Sequence, residues 1–182
     1  MDESKITEKP IGRLPIKTTS LSILKEKKLI ERLLIKLQSN EKTYWVCPLI
    51  EESEELDLKA AKDRYENLNK IFNKKVLIIH GQLKEKEKEE VMYKFQNEDY
   101  KILVSTTVIE VGIDIKEATT IIIEHAERFG LAQLHQLRGR VGRNDIQSSC
   151  ILLHKDQIGE NAKKRIIKMK ETNDGFEIAK KD

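Results

Sequence analysis

Val76-Leu77-Ile78-Ile79, Ile102-Leu103-Val104, Ile121-Ile122-Ile123 and Ile151-Leu152-Leu153 are short, continuous apolar blocks with no polar residue between their apolar ones. A strand with one wet face alternates apolar and polar residues, so unbroken blocks of this length predict strands covered on both faces, as in a parallel sheet. The segments between them carry helical spacing. Val91, Met92 and Phe95 share one face of residues 84–98, and residues 131–137 form a further helical candidate. Upstream, Leu58, Ala61, Tyr65, Leu68 and Phe72 step by three and four, a stripe that predicts a helix with one buried face. Ile30, Leu33, Leu34 and Leu37 predict another helix, and the apolar, aromatic run 44–49 predicts a strand after it. The acidic run Glu51-Glu52-Ser53-Glu54-Glu55 reads as a solvated loop. Strand and helix alternate, which gives an α/β fold: a doubly wound parallel sheet with helices on both faces and ligands at the carboxyl ends of its strands.

A chain of 182 residues suits one domain. Hydrophobic residues make up 38% and charged residues 36%, with a net charge of +3, so bulk charge neither demands nor excludes nucleic acid and binding must be argued locally. Cys47 and Cys150 form no CxxC pair, which points away from a disulfide framework or zinc site and toward a reducing, cytoplasmic setting. No apolar run reaches membrane-span length, and the first residues lack the apolar core of a secretory signal, so no membrane partner is expected. Residues 1–16, with Pro10, Gly12 and Pro15, read as an extended lead-in. Residues 163–170 read as a basic amphipathic helix, followed by a turn at Asn173-Asp174-Gly175.

Two segments carry chemistry. In Gln136-Leu137-Arg138-Gly139-Arg140-Val141-Gly142-Arg143, glycines separate arginines just before a strand block. Arginines on a turn are commonly only solvated, yet a guanidinium is always charged and matches phosphate oxygens in fork geometry. Ser105-Thr106-Thr107-Val108-Ile109-Glu110-Val111-Gly112-Ile113-Asp114 directly follows a strand block. Its hydroxyls suit either helix capping or contact with a nucleic-acid backbone, and Gly112 and Asp114 suit either a turn or a ribose or metal-bound water. The residues alone leave these alternatives open.

Both segments resemble the late motifs, V and VI, of superfamily-two helicases, in their order and separation. Together with Tyr44-Trp45-Val46-Cys47-Pro48-Leu49-Ile50-Glu51-Glu52-Ser53, Phe129-Gly130-Leu131-Ala132-Gln133-Leu134-His135 and Thr172-Asn173-Asp174-Gly175-Phe176, they resemble the RecG family over nearly the whole chain. Mfd translocases resemble the motif V and VI region almost as closely, while the Pro48–Ser53 and Thr172–Phe176 patterns favour RecG. The resemblance implies a RecA-like second lobe, residues 17–156, and the helical start of a truncated C-terminal extension, residues 157–182. It implies that Arg140 and Arg143 act as arginine fingers on ATP, with Gln136, Gly112 and Asp114 near the nucleotide. Thr106 and Thr107 would meet DNA, and so would His80-Gly81, although a lone His-Gly pair is also a common structural turn. Arg138 and His135 would orient motif VI.

Neither GxxxxGK[ST] nor a DExH-type box occurs. The implied partners are therefore DNA, branched by analogy, and a first lobe carrying the P-loop that holds most of the ATP and Mg²⁺. The family's N-terminal branch-binding wedge has no counterpart in the sequence either. The expected function is the C-terminal motor half of an ATP-dependent DNA helicase in repair and recombination, inactive alone. The competing expectations are a non-catalytic nucleic-acid-binding lobe and an inactive fragment of a split gene.

Overall fold

The computed structural model describes residues 14–49, 53–106, 115–142 and 145–172. Within them lie strands β1 (Lys17–Ser22), β2 (Lys42–Cys47), β3 (Val76–Ile79), β4 (Ile102–Thr106), β5 (Ala118–Glu124) and β6 (Ser149–His154). The helices are α1 (Glu26–Lys36), α2 (Glu54–Ile71), α3 (Glu85–Asn97), α4 (Leu131–Arg138) and α5 (Glu160–Glu171). The strands form one sheet in the order β1-β6-β5-β2-β4-β3, and every pairing is parallel.

All four apolar blocks fall inside strands, and neighbouring side chains enter opposite cores. Leu103, Ile121, Ile123 and Leu152 join Met92 and Phe95 of α3, Leu134 and Leu137 of α4, and Ile166 and Met169 of α5. Val104, Ile122 and Leu153 join Leu29, Ile30 and Leu33 of α1 with Ala61 and Leu68 of α2. Strand β2 is buried along its whole length, its Tyr44 and Val46 in the first core and Trp45 and Cys47 in the second.

Three expectations needed revision. The buried stripe of α1 takes Leu29, whereas Leu34 is 39% exposed. The acidic run is in part helical. Ser53 caps α2 by accepting the Leu56 amide at 3.3 Å, and Glu54, Glu55 and Asp57 occupy the first turn, where negative charge meets the positive end of the helix dipole. Glu51 and Glu52 lie outside the described residues, as does the expected turn at 173–175. Strand β1, with the polar sequence KTTSLS, was not foreseen, because an edge strand does not need the apolar run of a central one.

One ion-pair cluster ties α1, α2 and the sheet together. Arg64 of α2 donates to both carboxylate oxygens of Glu26, at 2.6 and 2.9 Å, and to both of Glu124, at 2.9 and 3.0 Å. Its guanidinium carbon stands 4.8 Å from the Trp45 ring centroid, and the indole N–H donates to Glu124 at 2.7 Å. Burial works to raise the Glu124 pKa, but the bonds from Arg64 and Trp45 more than offset it and hold the carboxyl below its ordinary 4.5.

Removing the cation leaves Glu124 buried and unpaired, so Arg64→Met is expected to cost about 3 kcal/mol. Urea unfolding followed by the fluorescence of Trp45, the single tryptophan, measures it. Because the folded-state pKa of Glu124 is depressed, the clamp's contribution is complete above 4.5 and declines as pH falls through the lowered value, and the variant should lose this acid dependence.

Candidate nucleotide and nucleic-acid interface

At the carboxyl end of β3 the chain turns through His80 and Gly81, and beside it β4 ends at Thr106. These three residues, expected at DNA, line one recess of about 150 Å³. Leu49 and Gln82, with Glu54, Asp57 and Leu58 from the first two turns of α2, complete it. His80 accepts the Gln82 amide on Nδ1 at 3.2 Å, a bond that needs the neutral ring with its proton on Nε2. Partial burial and nearby Lys62 lower the His80 pKa, so the imidazole offers a neutral donor at pH 7.

The segment that resembles motif VI begins on α4. The helix opens with a side-chain cap, Gln133 accepting the Gly130 amide at 3.0 Å. Arg165 of α5 fixes the preceding turn by donating to the carbonyls of Phe129, at 3.1 Å, and Glu127, at 2.9 Å. Within that turn His125 holds a left-handed backbone, φ 54°, with Nδ1 3.1 Å from Glu127. Gln136 is exposed on the helix.

The motif's arginines separate into different roles. Arg138 is 1% exposed and donates to the carbonyls of Met169 and Thr172, both at 2.7 Å, and to the Thr18 hydroxyl at 3.1 Å. It joins α4 to the carbonyl-rich end of α5 and to β1, and so orients the motif from inside. Past Gly139, the Arg140 amide donates to Leu137 and the Val141 amide to Arg138. Val141 is fully buried, and the Gly142 amide donates to the Ser148 hydroxyl at 3.0 Å. The backbone is thus pinned on both sides of Arg140, whose half-buried side chain has no hydrogen-bond or ion-pair partner among the described residues.

The ligand candidates do not all gather at the carboxyl ends of the strands. Helix α4 leaves the carboxyl end of β5 and runs back along the sheet, so Arg140 and Gly142 lie at the amino end, against Ser148 just before β6 and Ile16 just before β1. The recess and Arg140 occupy opposite edges. The five residues of β4 put the two ends of the sheet roughly 16 Å apart. Thr106 stands at the carboxyl end, and Ile115 and Ala118 stand at the amino end, where the Lys42 amide donates to the Glu117 carbonyl. Thr107, Gly112, Asp114 and Arg143 lie outside the described residues. No group of three His, Cys, Asp or Glu among the described residues could hold a metal ion, and no helix among them is long and apolar enough to cross a membrane.

The structural residues Arg64, Arg165 and Glu127 escaped sequence reasoning because their partners lie far along the chain, 60 residues for Arg64–Glu124 and 36 for Arg165–Phe129.

A family model described as the helicase conserved C-terminal domain matches residues 25–145, and the chain belongs to that family. Within it, the likeness is to RecG. The proteins named ATP-dependent DNA helicase RecG from Acidithiobacillus ferridurans and Aquifex aeolicus are 49% and 48% identical over all of this chain, which spans 27% and 23% of their lengths. A structure of RecG bound to a three-way DNA junction superimposes with a TM-score of 0.80 at 41% identity, covering 95% of this chain and 22% of that one. The C-terminal domain of the DEAD-box protein Dbp5, 20% identical with a TM-score of 0.60 over 87% of this chain and 85% of that one, shares the fold. The sheet is therefore that of a RecA-like second helicase lobe.

Gly142 has φ +82°, and an added Cβ would come within 2.9 Å of Ile16. Gly142→Ala is expected to lower stability by about 2 kcal/mol, read from the urea midpoint. The His80 imidazole should titrate below 6.5 when followed by proton NMR, whereas a midpoint at or above 6.5 would mean its Nδ1 is free to take a proton.

Proposed function

We propose that the chain is the second motor lobe of an ATP-dependent DNA helicase that acts on branched DNA in repair and recombination. It works with a first lobe that carries the P-loop and holds most of the ATP and Mg²⁺. The observation that carries this reading is the placement of His80, Gly81 and Thr106 at the carboxyl edge of the sheet and of Arg140, on a pinned backbone, at its amino edge. At the carboxyl edge, Thr106, His80 and Gly81, with Thr107, contact the DNA backbone as neutral hydroxyl, imidazole and main-chain groups. Arg140, at the amino edge, meets the terminal phosphate of ATP in company with Arg143, and Gln136, Gly112 and Asp114 serve the nucleotide. Arg140 fits the role because its backbone is pinned while its guanidinium has no partner among the described residues.

Cys47 and Cys150 are free and buried, the Cys150 thiol pushed up to about 12 by burial, which suits a reducing cytoplasm and leaves both thiols inert.

Hydrolysis by the chain mixed with a separately expressed RecG-type first lobe tests the assignment. The chain alone should turn over no ATP, the mixture should show hydrolysis stimulated by branched DNA, and Arg140→Ala should lower that rate by about a thousandfold. A folded mixture without turnover would leave a non-catalytic binding lobe or an inactive fragment.

A further inference from the structure

Affinity for DNA comes largely from cations that neutralise phosphates, and each such contact makes binding fall as salt rises. The carboxyl-edge candidates His80, Gly81 and Thr106 offer imidazole, main-chain and hydroxyl groups instead, which position a strand without supplying that attraction. The chain's net charge of +3 is too small to supply it in bulk. The attraction therefore needs a surface on which cations are concentrated.

Helix α5 is such a surface. Its twelve residues hold four lysines and one arginine against two glutamates, one at each end. Ala162, Ile166 and Met169 face the core, and Arg165 turns back to the carbonyls of Phe129 and Glu127. Lys163, Lys164, Ile167 and Lys170 are exposed on the outward face. The Lys163 and Lys164 ammonium groups have no hydrogen-bond or ion-pair partner among the described residues, and Lys170 reaches the Ser20 hydroxyl of β1 at 3.3 Å. Helices α2 and α3 differ, because their lysines are interleaved with carboxylates, as in Lys59–Asp63 at 3.0 Å and Lys88–Glu85 at 3.8 Å. From Lys163 to Lys170 the helix rises about 10 Å, the axial length over which one strand of duplex DNA presents about three phosphates. The face carries no aromatic side chain on which an unpaired base could stack, so its chemistry suits the backbone of a duplex better than a single strand.

We propose that the outward face of α5 binds the phosphate backbone of a duplex DNA arm, with Lys163, Lys164 and Lys170 as the contacts. This rests on the DNA-binding reading above and adds a second surface to it, on the flank of the lobe beside β1 and away from the recess at β3 and β4.

Fluorescence anisotropy of the 182-residue chain with a labelled duplex of about 20 base pairs, and with one of its strands alone, each titrated over a range of salt, tests this. Lys163→Gln, Lys164→Gln and Lys170→Gln together are expected to lower the slope of log K against log salt on the duplex by about one per lysine and to weaken duplex binding about tenfold at low salt, with a smaller effect on the single strand. Arginine at the same three positions should keep the slope. Lys59→Gln, Lys86→Gln and Lys94→Gln together, exposed on α2 and α3, should leave it nearly unchanged. All three variants should keep the urea midpoint of the unaltered chain, because the exchanged side chains are exposed. A duplex slope indifferent to the first set would overturn the proposal and leave the carboxyl-edge reading standing. An equal fall with the α2 and α3 set would reduce the effect to bulk charge and overturn it as well. A larger loss on the single strand than on the duplex would overturn the assignment to a duplex arm. Failure of the unaltered chain to bind either DNA at low salt would overturn both readings.

Discussion

Parallel pairing of β4 and β5 with the same central strand, β2, is the constraint on which the rest of the structure depends. A chain leaving the carboxyl end of β4 cannot enter β5 until it has travelled back to the amino edge, because parallel neighbours begin at the same side. Helix α4 makes the corresponding return from β5 to β6. The edge that holds His80, Gly81 and Thr106 and the edge that holds Arg140 are the two ends of one sheet, roughly 16 Å apart.

Rigidity comes from arginines that face inward. Arg64 fastens two helices to the end of β5, Arg165 fastens the turn before α4, and Arg138 fastens α4 to the last carbonyls of α5. Each is satisfied by carboxylates or main-chain oxygens, the condition under which a buried cation is tolerated. Arg140, two residues from Arg138, lacks such partners among the described residues. Side chains of the same chemistry therefore divide into scaffold and candidate effector by what surrounds them.

Much of the fold was legible in the sequence because central strands covered on both faces need unbroken apolar runs, and Val76–Ile79, Ile102–Val104, Ile121–Ile123 and Ile151–Leu153 supply them. Strand β1 was not legible, since its hydroxyl-rich edge position carries no such signature. Thr106 and His80-Gly81 were named from motif resemblance, and the structure brings them to one recess whose acidic lining from α2 no local pattern announced. The division between Arg138 and Arg140 could not be read from the motif, because the carbonyls that bury Arg138 lie 31 and 34 residues further on. The amino-edge position of Arg140 was legible in outline, because the motif falls just before the block that became β6. The general rule places ligands at carboxyl ends, and only the antiparallel run of α4 reverses it for this motif.

The central claim, that this lobe closes on nucleotide held by another, is tested most directly by its association with a RecG-type first lobe, measured by sedimentation with and without a non-hydrolysable ATP analogue and Mg²⁺. The account predicts that the analogue tightens the complex, because Arg140 gains its phosphate partner only when the lobes meet. A complex indifferent to the analogue, or no complex between two folded lobes, would contradict it.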